Sequence, residues 1–384
     1  MSVKKLFLFL TLPLAILMTL VLASCGGGGS GSSGSSGDGT LSLALTDSTT
    51  QDYRAVYVTI DRVDVHRTDG NWEVVATPEA TYNLLELVNG VTVVLGQDQL
   101  PAGDYTQMRL MIGDTPDDGK NIVGENHPHA NYLLIGDSLD DQPLKIPSGP
   151  QTGIKLVSGF TINENQTTEL LLDFDAMRSV VKAGASGLYL LKPTIKVLKV
   201  AEYTSVEGTV TTNVNEVSTP LAEAMVNAQA GDPLQIQAGT VTDDEGEYKL
   251  FLMPGDYTLV ATADGYLPAC SPLPLTTGEQ LLADFELIPV ELTFTLDGTI
   301  TVASPDEDQS VTLTFYQTVT CNDATTSVVV RELNIAADTS GVDYEISLPA
   351  GSYKIVATTD DKSPIEIGLN LDSDTSENIN FPQQ

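Results

Sequence analysis

The run Tyr248-Lys-Leu250-Phe-Leu252-Met253-Pro254-Gly255-Asp256-Tyr257-Thr-Leu259-Val-Ala261 holds two alternating apolar segments on either side of Pro-Gly. Period-2 alternation marks a half-buried strand, while Pro followed by Gly supplies the fixed and the positive φ of a tight turn. The arrangement recurs as Tyr344-Glu-Ile346-Ser-Leu348-Pro349-Ala350-Gly351-Ser352-Tyr353-Lys-Ile355-Val-Ala357. Each copy predicts a β-hairpin. Tyr257, Leu259 and Ala261 share one face of it and Tyr353, Ile355 and Ala357 the other copy's equivalent face, with the tyrosines in or beside the core. The segment therefore reads as part of an all-β fold.

The same rhythm extends from Thr40 onward, where short β-branched and aromatic runs alternate with Gly, Pro, Asp and Asn, as in sandwiches and barrels. With 41% hydrophobic residues over 384 positions, the chain can bury more than one core. Its 52 acidic residues face 18 Lys+Arg, a formal charge of −34 that excludes the basic surface a nucleic-acid reader needs. The charge is uneven: residues 40–200 hold 21 acids and 12 bases, 201–289 hold 14 acids and Lys249, and 290–384 hold 16 acids and three bases. These shifts predict three serial β-sandwich modules, prealbumin- or Ig-like, at 40–200, 201–289 and 290–384.

Lys4 and Lys5 precede an apolar run from Leu6 to Leu22 that contains Pro13. Seventeen residues suit a secretory signal better than a spanning helix, which needs about 20. The run ends in Leu22-Ala23-Ser24-Cys25, which resembles the bacterial lipobox. The resemblance implies removal of residues 1–24, lipidation of Cys25 and attachment to the membrane through acyl chains, each worth roughly 0.8 kcal/mol per buried CH2. Gly26, in place of the Asp associated with retention in the inner membrane, directs the expectation to the outer membrane. Residues 25–39 then form a lipidated Cys and a Gly/Ser tether; 14 residues of such coil reach about 20 Å.

Residues 206–289 resemble the carboxypeptidase regulatory-like domain, a small prealbumin-like sandwich. The likeness rests on Val206-Glu-Gly208-Thr-Val210, Thr242-Asp243-Asp244-Glu245-Gly246-Glu247-Tyr248, Pro254-Gly255-Asp256-Tyr257 and Asp264-Gly265-Tyr266. It implies a spacer or binding role without catalysis and, through related carbohydrate-binding-like folds, a glycan as ligand. Residues 290–384 look like a degenerate relative. Residues 40–200 resemble a bacterial lipoprotein family known only as a domain of unknown function, through Leu41-Ser-Leu43-Ala-Leu45-Thr46-Asp47, Tyr57-Val58-Thr59-Ile60-Asp61-Arg62-Val63-Asp64-Val65-His66, Tyr82-Asn-Leu84-Leu85-Glu-Leu87 and Leu172-Asp173-Phe174-Asp175-Ala176. A Pro101-Ala-Gly103-Asp-Tyr105 turn there echoes the two later copies. Alternation puts Met108, Leu110 and Ile112 on a face that excludes Tyr105, so it is not counted as a third.

Val56, Val58 and Ile60 alternate, after which Val63 and Val65 resume in the opposite phase, predicting a β-bulge near Asp61–Arg62. In Asp173-Phe174-Asp175-Ala-Met177-Arg-Ser-Val180-Val181, apolar residues recur at helical spacing behind acids. That predicts one short helix near 174–182, capped by Asp173 or Asp175.

No H-E-x-x-H, G-x-S-x-G or phosphate-cradling Gly-rich loop occurs, and no catalytic residue is assigned. The three histidines are His66, His127 and His129; Pro128 places the latter two on a solvated loop. Acidic turns gather Asp114, Asp117 and Asp118; Asp243, Asp244 and Glu245; and Asp306, Glu307 and Asp308. Of these, Asp243, Asp244 and Glu245 are the candidates for Ca2+, which takes six to eight oxygens; no cofactor is otherwise expected. Asp173 and Asp175 suit a cap better than acid–base work. Trp72 and Tyr266 are the aromatics considered for sugar stacking. Once Cys25 is lipidated, Cys270 and Cys321 remain, and an exported compartment permits them to pair across two modules or to stay as free thiols. The reading is a non-catalytic lipoprotein of the bacterial envelope serving surface binding, adhesion or envelope structure. Its partners are the membrane, through lipid, and a glycan or an envelope protein. A carbohydrate-binding accessory protein is one alternative, and a hydrolase or metal-dependent enzyme in residues 40–200 is another.

Overall fold

The computed structural model describes residues 37–384 except 49–51, 69, 137–138, 148–152, 157, 184–187, 277–280, 307–308 and 384. Cys25 and most of the tether lie outside the described residues, as do Glu307 and Asp308. The first strand, Asp38–Ser48, starts inside the stretch assigned to the tether, because Gly39 already pairs with Leu100.

In the first sandwich Asp38–Ser48 runs parallel to Thr167–Asp175 and antiparallel to Val93–Pro101, with Ile195–Lys199 completing a four-stranded sheet. The opposing sheet is centred on Ala55–Arg67, which pairs with Gly103–Ile112 and Tyr132–Ile135. Its register slips between Ile60 and Arg62, so Asp61 is the extra residue, and Ile60, Val63 and Val65 are all fully buried. A second slip between His66 and Arg67 skips Thr106 and corrects the phase expected for the neighbouring strand. Tyr105 is buried in the same core as Met108, Leu110 and Ile112. Strict alternation missed this because one extra residue exchanges the faces of a strand. The helix is a single turn, Ala176–Ser179, with the Asp175 carboxylate accepting from Arg178 N; Val180–Ala183 is a strand, so the helix is shorter than the spacing predicts.

The Pro-Gly segments are not hairpins. Glu247–Leu252 pairs with Thr204–Val214 in one sheet, whereas Gly255–Thr262 pairs with Met225–Ala230 and Ala269–Leu275 in the other. Val342–Pro349 and Gly351–Thr359 divide in the same way between Thr293–Val302 and Ser310–Cys321. Each turn is a corner that carries the chain across the core, since both flanking strands direct their apolar residues inward from opposite layers. Tyrosine closes it: Tyr257 Oη donates to the Met253 carbonyl at 3.0 Å and Tyr353 Oη to that of Pro349 at 2.8 Å. Tyr105 Oη makes the same bond to Pro101 at 3.0 Å, so the first sandwich does contain the device. A tyrosine hydroxyl returning to upstream backbone is a recurrent sandwich corner.

The second and third sandwiches share more than this corner. Gly208 pairs with Tyr248 and Gly298 with Tyr344, and a Cβ on either glycine would lie 1.9 Å from a carbonyl oxygen, that of Ala283 or of Glu377. The same tyrosines donate to those carbonyls at 2.6 and 2.8 Å. Close backbone crossing demands glycine in both copies.

The modules are joined laterally as well as in series. Among the described residues, one fourteen-stranded sheet runs from the first sandwich into the third, where Val180–Ala183 lies parallel to Ala324–Ala336 through Lys182 and Ile335. Cys270 is bonded to Cys321, linking the second sandwich to the third. Residues 36–384 form one compact unit.

Candidate functional site

Side-chain amides stitch the sandwiches together. Asn89, in the left-handed region at φ 60°, donates to the Glu247 carbonyl at 2.9 Å and accepts from Lys249 N at 2.6 Å, so its amide occupies the position of a neighbouring strand. Gln229, fully buried, does the same to Val329, donating to its carbonyl at 2.7 Å and accepting from its N–H at 2.9 Å. Tyr316 Oη donates to the Leu234 carbonyl at 3.0 Å, and Ile236, Tyr316 and Val329 pack with Met177 where all three modules meet.

Beside this junction the first and third sandwiches enclose a cavity of about 660 Å3, within the range of small-molecule sites. One wall carries Tyr53 and Tyr189, edge-to-face at 6.0 Å. Burial pushes both phenols up, so they remain hydroxyl donors at neutral pH. The other wall is the outward face of Thr293–Val302 and Val342–Pro349, where Asp297 stands directly opposite Glu345 and Asp343 accepts from Thr299 Oγ1 at 2.8 Å. Asn334 at the base donates to the Met177 carbonyl. Phenols, carboxylates and an amide around a half-enclosed space can hydrogen-bond a polyhydroxylated ligand and pack against its apolar face.

Most residues singled out from sequence have structural partners. Asp243 accepts from Glu245 N at 3.2 Å and Glu247 N at 2.8 Å, capping the turn that ends at Gly246; Asp244 and Glu245 are exposed beside it. Among the described residues, no three His, Cys, Asp or Glu side chains are grouped to hold a metal ion. His127 corrects the solvated-loop expectation: it is buried, with Nδ1 2.9 Å from Tyr132 Oη and Nε2 3.7 Å from Asp117. Burial lowers its pKa against the opposing pull of Asp117, which favours the neutral ring. His129 is half-exposed, 3.2 Å from Asp141. Trp72 lies under the Arg109 guanidinium at 4.3 Å and beside His66. Tyr266 opens a short strand and is half-buried. No pair of neighbouring sequence positions announces the cavity: Tyr53, Tyr189 and Asp343 lie more than 100 residues from one another, and the packing of the first sandwich on the third, through the Val180–Ala183 pairing and the Asn334–Met177 and Arg331–Asp52 contacts, brings them together.

Residues 38–193 match the domain of unknown function DUF4382 and residues 205–288 the carboxypeptidase regulatory-like domain, so the chain carries the first followed by the second. No curated protein matches it. Among solved structures, the Bacillus anthracis TIE protein aligns over 90% of this chain and 50% of its own length, at 14% identity and a TM-score of 0.20. The streptococcal ancillary pilin aligns over 90% and 100%, at 11% identity and 0.19. GBS52, the minor pilin of Streptococcus agalactiae, aligns over 65% and 97%, at 11% and 0.21. The chain spans half the length of the TIE protein.

Proposed function

We propose that the protein is a non-catalytic, lipid-anchored outer-membrane protein that presents a rigid three-sandwich body for surface binding, adhesion or envelope structure. The observation that carries the reading is the lateral locking of the sandwiches by Asn89, Gln229 and Cys270–Cys321. A locked body on a Gly/Ser tether holds its far end at a defined geometry, which suits presentation and load-bearing. Chain fractionation tests the anchor: wild type partitions with the outer membrane, and Cys25→Ala is released into the soluble fraction. Retention of Cys25→Ala in the membrane would overturn lipid attachment.

A second reading follows from the Tyr53–Tyr189 cavity, which favours a glycan as the bound partner. On a glycan array the full chain in detergent then retains a defined saccharide class, and Tyr189→Ala loses that signal at least tenfold. An array with no retained glycan, or retention unchanged by Tyr189→Ala, would contradict it.

A further inference from the structure

Where the three sandwiches meet, four buried carboxylates face two cations. Asp47 is the penultimate residue of the first strand, Asp173 and Asp175 lie on its parallel partner, and Glu332 reaches in from the third sandwich; all four are at most 7% exposed. Arg178 donates to Glu332 at 3.0 Å and sits 3.6 Å from Asp175. Lys196, cross-strand from Asp173, donates to the Gln237 carbonyl of the second sandwich. Ser48 donates to Asp173 at 3.1 Å, and Ala176 N donates to Asp47 Oδ1 at 3.0 Å. Asp47 Oδ2, equally buried, has no hydrogen-bond partner among the described residues. Strand Gln235–Val241 brings no charged side chain to the site; from the third sandwich the Tyr316 phenol lies near Glu332 and Glu366, with the Lys354 ammonium 4.8 Å over its ring.

We propose that this junction is a proton-operated latch, in which assembly of the three sandwiches takes up protons on the Asp47–Asp173–Asp175–Glu332 cluster and their loss at rising pH loosens the junction. Fully ionised, the cluster would bury two negative charges in excess of Arg178 and Lys196, which a low-dielectric interior does not tolerate. A proton on Asp47 also removes the uncompensated acceptor charge. Burial, followed by the neighbouring carboxylate of Asp175, raises the pKa of both Asp47 and Asp173, the latter to about 7. Asp175 and Glu332 are raised by burial against the pull of Arg178. Linkage then gives the sign. Folded values above the unfolded value of about 3.9 mean that the contribution is complete below about pH 4 and is lost as pH rises through the folded values, near 7 for Asp173.

The test is amide hydrogen exchange of the full chain in detergent micelles at pH 5.5 and 8.0, with rates corrected for intrinsic exchange. The peptides to follow span residues 170–182, 234–238 and 326–335. Each proton taken up changes the opening constant by up to tenfold per pH unit, so these peptides are expected to open at least tenfold more at pH 8.0. Asp47→Asn with Asp173→Asn, which replaces protonated acids by neutral isosteres, abolishes the difference. Asp244→Asn with Glu245→Gln, which removes the same number of carboxyl groups from the exposed surface, retains it. Equal protection at both pH values in wild type, or a difference that persists in the buried double variant, would overturn the latch. Carbon-13 titration of the wild-type carboxyls needs no variant: a buried Asp titrating between about pH 6 and 8 supports the latch, and all Asp titrating below pH 5 overturns it.

Discussion

Asn89 and Gln229 each do with one amide what a whole strand edge does elsewhere. A primary amide offers a donor and an acceptor at the spacing of a peptide group, so it can pair with a backbone N–H and C=O on a strand it does not belong to. Both bonds of Gln229 are buried, so removing the amide strands a donor and an acceptor, each costing roughly 1–3 kcal/mol. Gln229→Leu is therefore expected to destabilise the protein by about 2–4 kcal/mol in equilibrium denaturation, with Val329 losing exchange protection. A loss below about 0.5 kcal/mol would show that the amide is not part of the lock. No sequence pattern identifies such residues, because a Gln amid Met225–Ala230 reads as an ordinary polar position on an alternating strand. The information lies in a partner 100 positions away.

At the scale of elements, the strands were legible and their partners were not. Alternation at Tyr248–Leu252 and Leu259–Ala261 identifies two strands and an inward face, but period 2 is the same whether the next strand folds back beside the first or crosses the core. Hence the hairpin expected from Pro254-Gly255 proved to be an inter-sheet corner. The bulge at Asp61 was readable because its phase change interrupts a long run, whereas the bulge at Thr106 hides in a single skipped residue after a turn. The corner itself gives a comparative test. Tyr105→Phe, Tyr257→Phe and Tyr353→Phe each delete one hydroxyl bond and keep the ring, so each is expected to cost about 1 kcal/mol in the midpoint of denaturation. A cost confined to the second and third sandwiches would contradict the equivalence of the three corners.

For the whole molecule, composition shifts separate the segments but say nothing of the interfaces between them. The interfaces combine buried charges, such as Arg178 and Glu332, with apolar and amide groups, such as Ile236, Val329 and Gln229, that look in sequence like any core residue. The candidate cavity shares that obscurity, since its two walls belong to the first and third sandwiches. Cysteine was the one visible hint: Cys270 and Cys321 are 51 positions apart, and a link of that loop length contributes about 3–4 kcal/mol. The central claim, that the sandwiches form one locked body, is tested most directly by calorimetry of the full chain with the disulfide intact at pH 5.5. A locked body melts in one transition whose calorimetric and van't Hoff enthalpies agree. Two or three separate transitions, each moving independently when Gln229 or Asn89 is replaced, would contradict it.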